Sequence, residues 1–268
     1  MSSQRVRRTL AVAVGVGVMA AVQQGSLGGV SYDLRFSGAV TGNILTAHQA
    51  KAVPGNMYEV ELWARVSGTN GTTSDEGIQF SWVKLLSTQS APGSGAILSG
   101  GITGFAATPE FQSFTGTSPA HRNGSGADLN GDGVIDWGSS STSNSDTNYA
   151  YPRQSGIVNG GGTVGQAVDA NTWEFKLATF TVSVGTVGAF GESTRLDMVK
   201  PNATSAIALN YAFAKVDGGN FFVTNQNQQG AYAASTGVEF VVPEPSVVGL
   251  IGAAAAVGLV RRTRSSKP

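Results

Sequence analysis

Residues 57–66 read Met57-Tyr-Glu-Val-Glu-Leu-Trp-Ala-Arg-Val66, with an apolar side chain at every second position. One face of this stretch would carry Tyr58, Val60, Leu62, Ala64 and Val66. The opposite face would carry Glu59, Glu61, Trp63 and Arg65. Because side chains two residues apart lie on the same face of a β-strand, this alternation predicts a strand with one buried face. Turn signals bound it, Pro54-Gly55 before and Gly68-Thr-Asn-Gly71 after.

Two neighbouring segments repeat the alternation but change phase partway along. In residues 77–86, Ile78, Phe80 and Trp82 share one face, whereas Val83 and Leu85 fall on the other. This change predicts either a bulge or a strand that is buried on both faces. Residues 173–184 change phase in the same way, which predicts a kink near Ala178.

The remaining strand signals lie in the C-terminal third of the chain. Residues 207–213 place Ile207, Leu209, Tyr211 and Phe213 on one face. Asp217-Gly-Gly-Asn220 predicts a hairpin turn into a strand at 221–223, and residues 238–242 predict the last strand. Many short strands without interleaved amphipathic helices predict an all-β fold. We expect a single β-sandwich or jelly roll over residues 30–242, with a long polar insertion at 112–165.

The N-terminus has the organisation of an export signal. Arg5, Arg7 and Arg8 precede an apolar run at residues 10–22, and small residues occur at Ala20 and Ala21. A basic region followed by a short apolar helix predicts a cleaved secretory signal peptide over residues 1–21. The Arg7-Arg8 pair is also compatible with a twin-arginine signal.

The C-terminus joins a rigid polar motif to an apolar run and a basic end. Val242-Pro-Glu-Pro-Ser246 leads into residues 246–260, and Arg261, Arg262 and Arg264 follow. As a helix the apolar run is about 22 Å long, which is short for a hydrocarbon core of about 30 Å. The arginines predict a cytoplasmic end, so the rest of the chain would lie outside the cell.

This order of segments resembles the PEP-CTERM sorting signal, with Pro243, Glu244 and Pro245 as the processing motif. The resemblance covers about the last 27 residues. It implies processing by exosortase, a membrane transpeptidase-like enzyme, in bacteria that make exopolysaccharide or a biofilm matrix. An ordinary C-terminal membrane anchor is the alternative, and it predicts the same topology.

Composition limits what the exported part can do. The chain has no cysteine, so disulfides cannot stabilise it outside the cell. Its 17 basic and 17 acidic residues balance, but several basic residues lie in the two terminal signals. The remaining part is therefore mildly acidic, which argues against nucleic-acid binding.

Three segments resemble cohesin-like domains: Met57–Val66, Glu76-Gly-Ile-Gln-Phe-Ser-Trp-Val83, and Glu174-Phe-Lys-Leu-Ala-Thr-Phe-Thr-Val-Ser-Val184. The resemblance extends over about half of the mature region and its motifs are loose. It implies a jelly-roll sandwich related to bacterial surface and carbohydrate-binding modules. No partner-binding face can be matched.

Asp128-Leu-Asn130-Gly-Asp132-Gly-Val134-Ile-Asp136 has the spacing of a calcium-binding loop. Oxygen-bearing side chains occupy positions 1, 3, 5 and 9, a glycine stands at position 6, and Val134 would offer its carbonyl. Ser139 stands at position 12, where a bidentate carboxylate normally completes the shell. We therefore expect a structural Ca²⁺ site of moderate to weak affinity. The alternative is a solvated turn without an ion.

Signals for catalysis are weak. His48 and His121 are the only histidines, and Glu76, Glu110 and Glu174 form no recognisable pair for a glycosidase. Trp63 on the polar strand face, and the aromatic residues Tyr149 and Tyr151, are candidate glycan contacts, although Trp63 also fits as cover for a loop. We expect an exported, non-catalytic surface or matrix protein associated with exopolysaccharide. A carbohydrate-binding module is the alternative, and a glycan-active enzyme is less favoured.

Overall fold

The computed structural model describes residues 28–37, 43–91, 93–112, 126–138, 152–199, 212–224 and 235–244. These segments form an all-β fold. The strands are β1 (Gly29–Phe36), β2 (Ile44–Thr46), β3 (Gln49–Lys51), β4 (Met57–Ser67), β5 (Gly77–Ser81), β6 (Lys84–Gln89), β7 (Gly101–Ala107), β8 (Gly126–Ala127), β9 (Asp136–Trp137), β10 (Arg153–Asn159), β11 (Gln166–Ala167), β12 (Thr172–Ser183), β13 (Ser193–Val199), β14 (Ala212–Val216), β15 (Gly219–Val223) and β16 (Val238–Val241). Two short 3₁₀ turns, Thr73–Asp75 and Pro109–Phe111, are the only helical elements within these segments.

The strands form three sheets. The first has the order β1-β4-β12-β11, with β7 also paired to β12; the second is β10-β5-β14-β15; the third is β2-β3-β16-β13-β6-β9-β8. Pairing between strands is antiparallel except between β16 and β3. Strands β8, β9 and β10 lie within the predicted polar insertion, so its described portions belong to the second and third sheets.

The alternation predicted for β4 is confirmed. Tyr58, Val60, Leu62, Ala64 and Val66 are all fully buried, and β4 pairs with β1 on one edge and β12 on the other. Each large apolar side chain buried in this way contributes about 1.5–3 kcal/mol. The kink near Ala178 is confirmed too, because the register between β12 and β4 shifts between Lys176 and Ala178.

The bulge predicted for residues 77–86 is confirmed, because the register between β5 and β14 shifts between Ile78 and Phe80. The chain leaves the second sheet after β5 and enters the third sheet at β6, so one apparent strand is two. Ile78 in β5 and Leu85 in β6 are both fully buried, but in different sheets. Ser81, Val83 and Leu85 keep one phase across the change of sheet, so the change of phase comes from the bulge and the change of sheet is a separate feature.

The predicted hairpin is confirmed as the turn between β14 and β15. Asp217 and Gly218 have φ angles of 50° and 75°, and positive φ at both central residues is typical of the tight turns that match the twist of a hairpin. In β14, Ala212 and Ala214 are buried and Phe213 lies on the opposite face. Ile207, Leu209 and Tyr211 lie outside the described residues.

The last strand joins the first and third sheets through aromatic packing. Phe240 of β16 packs edge-on against Phe36 and Tyr58, with ring centroids 5.0 and 5.1 Å away. Val238 and Val242 are buried beside it, as the alternation predicted. One continuous hydrophobic core therefore underlies the sheets.

The described residues contain no helix that is long and apolar enough to cross a membrane. The predicted signal peptide at 1–21, the membrane helix at 246–260, and Pro245, Arg261, Arg262 and Arg264 all lie outside those residues.

Candidate functional site

The outer face of the first sheet carries a charged network that sequence reasoning did not identify. Backbone pairing places Asp33 opposite Trp63, Arg35 opposite Glu61, and Glu174 opposite Arg65. All of these side chains lie on the face of β1, β4 and β12 that points away from the apolar core. The alternation along each strand thus places apolar and charged side chains on opposite faces, and strand pairing brings the charged side chains of different strands together.

Two nearly buried carboxylates are neutralised by two arginines in this network. Asp33 and Glu174 are only 1% and 2% exposed. Arg35 donates from Nε to Asp33 Oδ2 at 2.7 Å and from Nη1 to Glu174 Oε1 at 2.9 Å, and Nη2 also bonds to Glu174 Oε2. Arg65 spans the same two carboxylates at 3.0 and 3.2 Å. Each buried carboxylate is therefore paired with both guanidinium groups.

Two further side chains, His48 and Gln166, complete the network around the two carboxylates. His48 Nε2 lies 2.8 Å from Asp33 Oδ1, and Gln166 donates to Glu174 Oε1 at 2.5 Å. Burial alone would raise the pKa of Glu174, but hydrogen bonds from Arg35, Gln166 and Arg65 lower it to about 2. The bond to Glu174 likewise raises the pKa of Arg35. Glu174 is held ionised, which does not suit a general acid.

Trp63 lies at the centre of this face and is half-buried. Its indole Nε1 donates to Glu61 Oε2 at 3.0 Å, and the Arg35 guanidinium carbon lies 4.8 Å from the ring centroid. Lys176 donates to the other Glu61 oxygen at 2.6 Å. The ring is therefore fixed by a hydrogen bond at its edge and by a cation over one face.

A cleft of about 370 Å³ opens beside Trp63. Its walls come from the turn after β7 and from the loop before β12, and its lining residues are Trp63, Thr108, Pro109, Glu110, Thr163, Val164, Gly165, Gln166 and Lys176. An aromatic ring with nearby carboxylate, amide and ammonium groups suits a small polar molecule that has an apolar ring face. The predicted role of Trp63 as cover for a loop also has support, because Thr163, Val164 and Gly165 of the loop before β11 line the same cleft.

The calcium-type loop adopts a tight turn that Asp128 holds together. Asp128 Oδ1 accepts hydrogen bonds from the backbone N–H of Gly131 and Asp132 at 2.7 and 3.1 Å, and its Oδ2 accepts one from Gly133 at 2.9 Å. These bonds, that from Gly133 foremost, lower the pKa of Asp128. Gly131 and Gly133 have φ angles of 79° and 85°, which other residues rarely adopt.

Asp136 attaches this loop to β6. Its Oδ1 accepts from the backbone N–H of Ser87 at 2.6 Å and from the Ser87 hydroxyl at 2.7 Å, and its Oδ2 accepts from Leu129 N–H at 2.9 Å. Burial raises the pKa of Asp136, although the bonds from Ser87 oppose the shift. Because three donors occupy its oxygens, Asp136 acts as an anchor of the loop in this structure.

The other members of the loop lie next to the same strand. Asn130 donates to the Ser87 carbonyl at 2.6 Å, and Asp132 Oδ1 accepts from Val134 N–H at 2.9 Å. Across the described segments, no three histidine or acidic side chains are gathered in an arrangement ready to hold a metal ion. The calcium ion therefore stays a prediction.

The remaining predicted site residues are dispersed. Pro243 and Glu244 are exposed directly after β16, whereas Tyr149 and Tyr151 lie outside the described residues. Of the three glutamates considered for catalysis, Glu110 lines the cleft, Glu174 belongs to the charged network, and Glu76 precedes β5.

No protein-family model matches this sequence, and no curated protein is significantly similar to it.

We expect Glu174→Gln to lower the free energy of unfolding by about 3 kcal/mol at pH 7, because it leaves the two guanidinium groups of Arg35 and Arg65 facing the single carboxylate of Asp33. The folded pKa of Glu174 lies below its ordinary value of 4.5. Its stabilisation is therefore present above about pH 4.5 and is lost as the pH falls toward about 2. Urea unfolding of parent and variant between pH 2.5 and 7 measures the difference. Glu59→Gln, an exposed change on the neighbouring strand β4, is the control, and an equal effect of both variants would contradict the prediction.

Proposed function

We propose that this chain is an exported, non-catalytic surface or extracellular-matrix protein whose C-terminal tail is a PEP-CTERM-type sorting signal read by an exosortase-type membrane enzyme. One observation supports it above the others. Val242 is the last buried residue in the described part of the chain, and its N–H donates to the carbonyl of Glu192 at 2.9 Å. Pro243 and Glu244, which follow it immediately, are exposed. The motif thus begins where the folded domain ends, at a position that an enzyme can reach.

The same proposal includes the finer fold and the partners. We assign the domain to cohesin-like β-sandwiches of the jelly-roll type, supported by the shared core beneath three largely antiparallel sheets. The tail would first insert into the membrane. After processing, the domain would associate with exopolysaccharide or other matrix components. A protein without cysteine then depends on packing and bound ions for its stability outside the cell.

The sorting proposal predicts that the tail determines size and location. In a bacterium that carries an exosortase, the parent is expected in the surface or matrix fraction at a mass below that of the signal-cleaved precursor. Deleting residues 243–268 should release the protein to the medium. Replacing Pro243, Glu244 and Pro245 together by alanine should leave the tail attached and the protein in the membrane fraction. Immunoblots of cell, matrix and medium fractions measure this.

Thr88→Ala, an exposed change in β6, is the control for folding and export. The sorting proposal fails if deletion of the tail does not change the location of the protein, or if the parent keeps the mass of the signal-cleaved precursor.

A structural Ca²⁺ in the loop at 128–136 is the second part of the proposal. Asp128, Asn130 and Asp132 and the Val134 carbonyl would hold the ion, with Asp136 attaching the loop to β6. Each carboxylate oxygen has two lone pairs, so Asp128 Oδ2, which accepts one hydrogen bond, retains capacity for a cation. Extracellular modules of this kind bind in the range of about 10⁻⁴–10⁻³ M.

We expect calcium at ten times its Kd to stabilise the parent by about 1.4 kcal/mol through this loop. Asp128→Ala combined with Asp132→Ala should abolish that loop's contribution. Calorimetric titration and melting curves of the EDTA-treated proteins measure it. Asp169→Ala, an exposed acidic residue in another turn, is the matched control. If the double variant binds and responds to calcium as the parent does, the loop holds no ion.

A carbohydrate-binding module is the second candidate function, and the cleft beside Trp63 favours it. We expect Trp63→Ala to reduce retardation on polysaccharide affinity gels by at least tenfold in apparent affinity, because stacking of a ring on an aromatic platform is lost. Trp63→Phe should retain part of the binding. Phe190→Ala removes a more exposed aromatic ring elsewhere and should have no effect. Equal retardation of parent and Trp63→Ala on neutral and acidic polysaccharides would remove this candidate.

A further inference from the structure

Three carboxylates meet where the loop between β4 and β5 packs against the β14–β15 hairpin. We call Asp75, Glu76 and Asp217 the acidic junction. The backbone N–H of Asp217 donates to Glu76 Oε1 at 3.1 Å. A Cβ on Gly68 would collide with both Glu76 Oε1 and Asp217 Oδ1, so these two oxygens lie against the same glycine. The junction therefore joins two segments that are about 140 residues apart in the chain.

Hydrogen bonds hold the outer part of the acidic junction in place. Asp217 Oδ1 accepts from the N–H groups of Thr69 and Asn70 at 2.6 and 3.1 Å, and its Oδ2 accepts from the Thr69 hydroxyl at 2.8 Å. Asp75 Oδ2 accepts from the Asn70 side-chain amide at 2.7 Å. The loop thus brings Asp75 next to the hairpin, because Asn70 contacts both aspartates.

The inner part of the junction lacks partners. Glu76 is 0% exposed, yet its Oε2 has no hydrogen-bond partner, and the buried Oδ1 of Asp75 has none either. Among the salt bridges of the described residues, none includes Asp75, Glu76 or Asp217. A buried carboxylate without a counter-charge is costly. Burial raises the pKa of Glu76 to about 7, and the charges of Asp75 and Asp217 add to the effect.

This arrangement contrasts with the network on the first sheet. There, two buried carboxylates are matched by Arg35 and Arg65. At the acidic junction the surrounding groups carry neutral oxygen atoms instead of cations. These are the Thr69 hydroxyl and the Asn70 side-chain carbonyl, and the carbonyl accepts a hydrogen bond from Thr72 N–H at 2.8 Å. Several carboxylate and neutral oxygens around one point are the ligands that a hard divalent cation prefers.

We propose that the acidic junction binds one divalent cation, Ca²⁺, through the carboxylates of Asp75, Glu76 and Asp217, and that the ion ties the β14–β15 hairpin to the loop before β5. Glu76, fixed by burial and by the N–H of Asp217, supplies the inner ligand. The described chain holds no ready-made cluster of three acidic ligands, so binding requires Asp75 and the exposed Asp217 to exchange hydrogen bonds with Thr69 and Asn70 for bonds to the ion. This site is separate from the loop at 128–136, which contacts β6 in the third sheet.

The test is a calcium titration of four EDTA-treated full-length proteins by calorimetry, with melting curves alongside. They are the parent, Glu76→Gln, Asp217→Asn, and the loop variant with Asp128 and Asp132 changed to alanine. We expect the junction ion to persist in the loop variant and to raise its melting temperature by about 4 °C at ten times its Kd. Glu76→Gln and Asp217→Asn should each weaken that binding at least tenfold.

Glutamine has the shape of a protonated glutamate, so Glu76→Gln is expected to fold, and circular dichroism checks this. If the loop variant binds no calcium, or if Glu76→Gln and Asp217→Asn both bind like the parent, the junction proposal is wrong. The proposal is also overturned if calcium stabilises neither the parent nor the loop variant and Glu76→Gln melts above the parent at pH 8 in EDTA. That result would mean that a proton, and not a cation, neutralises Glu76. Loss of binding in the junction variants alone supports the junction and counts against the loop at 128–136.

Discussion

Strand β4 is hydrogen-bonded along both edges, to β1 and to β12, and its two faces lie in opposite environments. Tyr58 through Val66 contribute every second side chain to the core, and the side chains between them meet charged partners from β1 and β12. A shift of the register by one residue would exchange the two faces, placing Glu61 and Arg65 in the core. The apolar burial of this one strand thus determines where the charged network and the cleft can form.

Charge is handled in two different ways in this fold. Asp33 and Glu174 are buried, but Arg35 and Arg65 neutralise them within hydrogen-bond distance. Glu76 is buried just as completely without a cationic partner in the described chain. Because the sequence contains no cysteine, the junction of loop and hairpin has no covalent tie. Our proposal of a cation at this junction gives a second way of joining the two segments.

The last strand connects the fold to the proposed route of export. Phe240 packs between Phe36 and Tyr58, so the residues just before Pro243 are held by the core. Under the proposed function, processing at Pro243, Glu244 and Pro245 would take place next to a folded domain with almost no linker. The domain would then leave the membrane intact, or remain close against its surface if the tail stays attached.

The sequence by itself determined the features that depend on near neighbours: the two faces of β4, the kink in β12, the Asp217-Gly218 turn, and the tight turn around Asp128. Each follows from side-chain period or backbone preference over a few residues. Only the tertiary structure decided that residues 77–86 divide between two sheets, and that Asp136 accepts hydrogen bonds from Ser87. It also decided that Glu174 meets Arg35 across 139 positions. Such partners come together through strand pairing, which local patterns do not encode, so the charged network and the acidic junction could not be predicted from spacing alone.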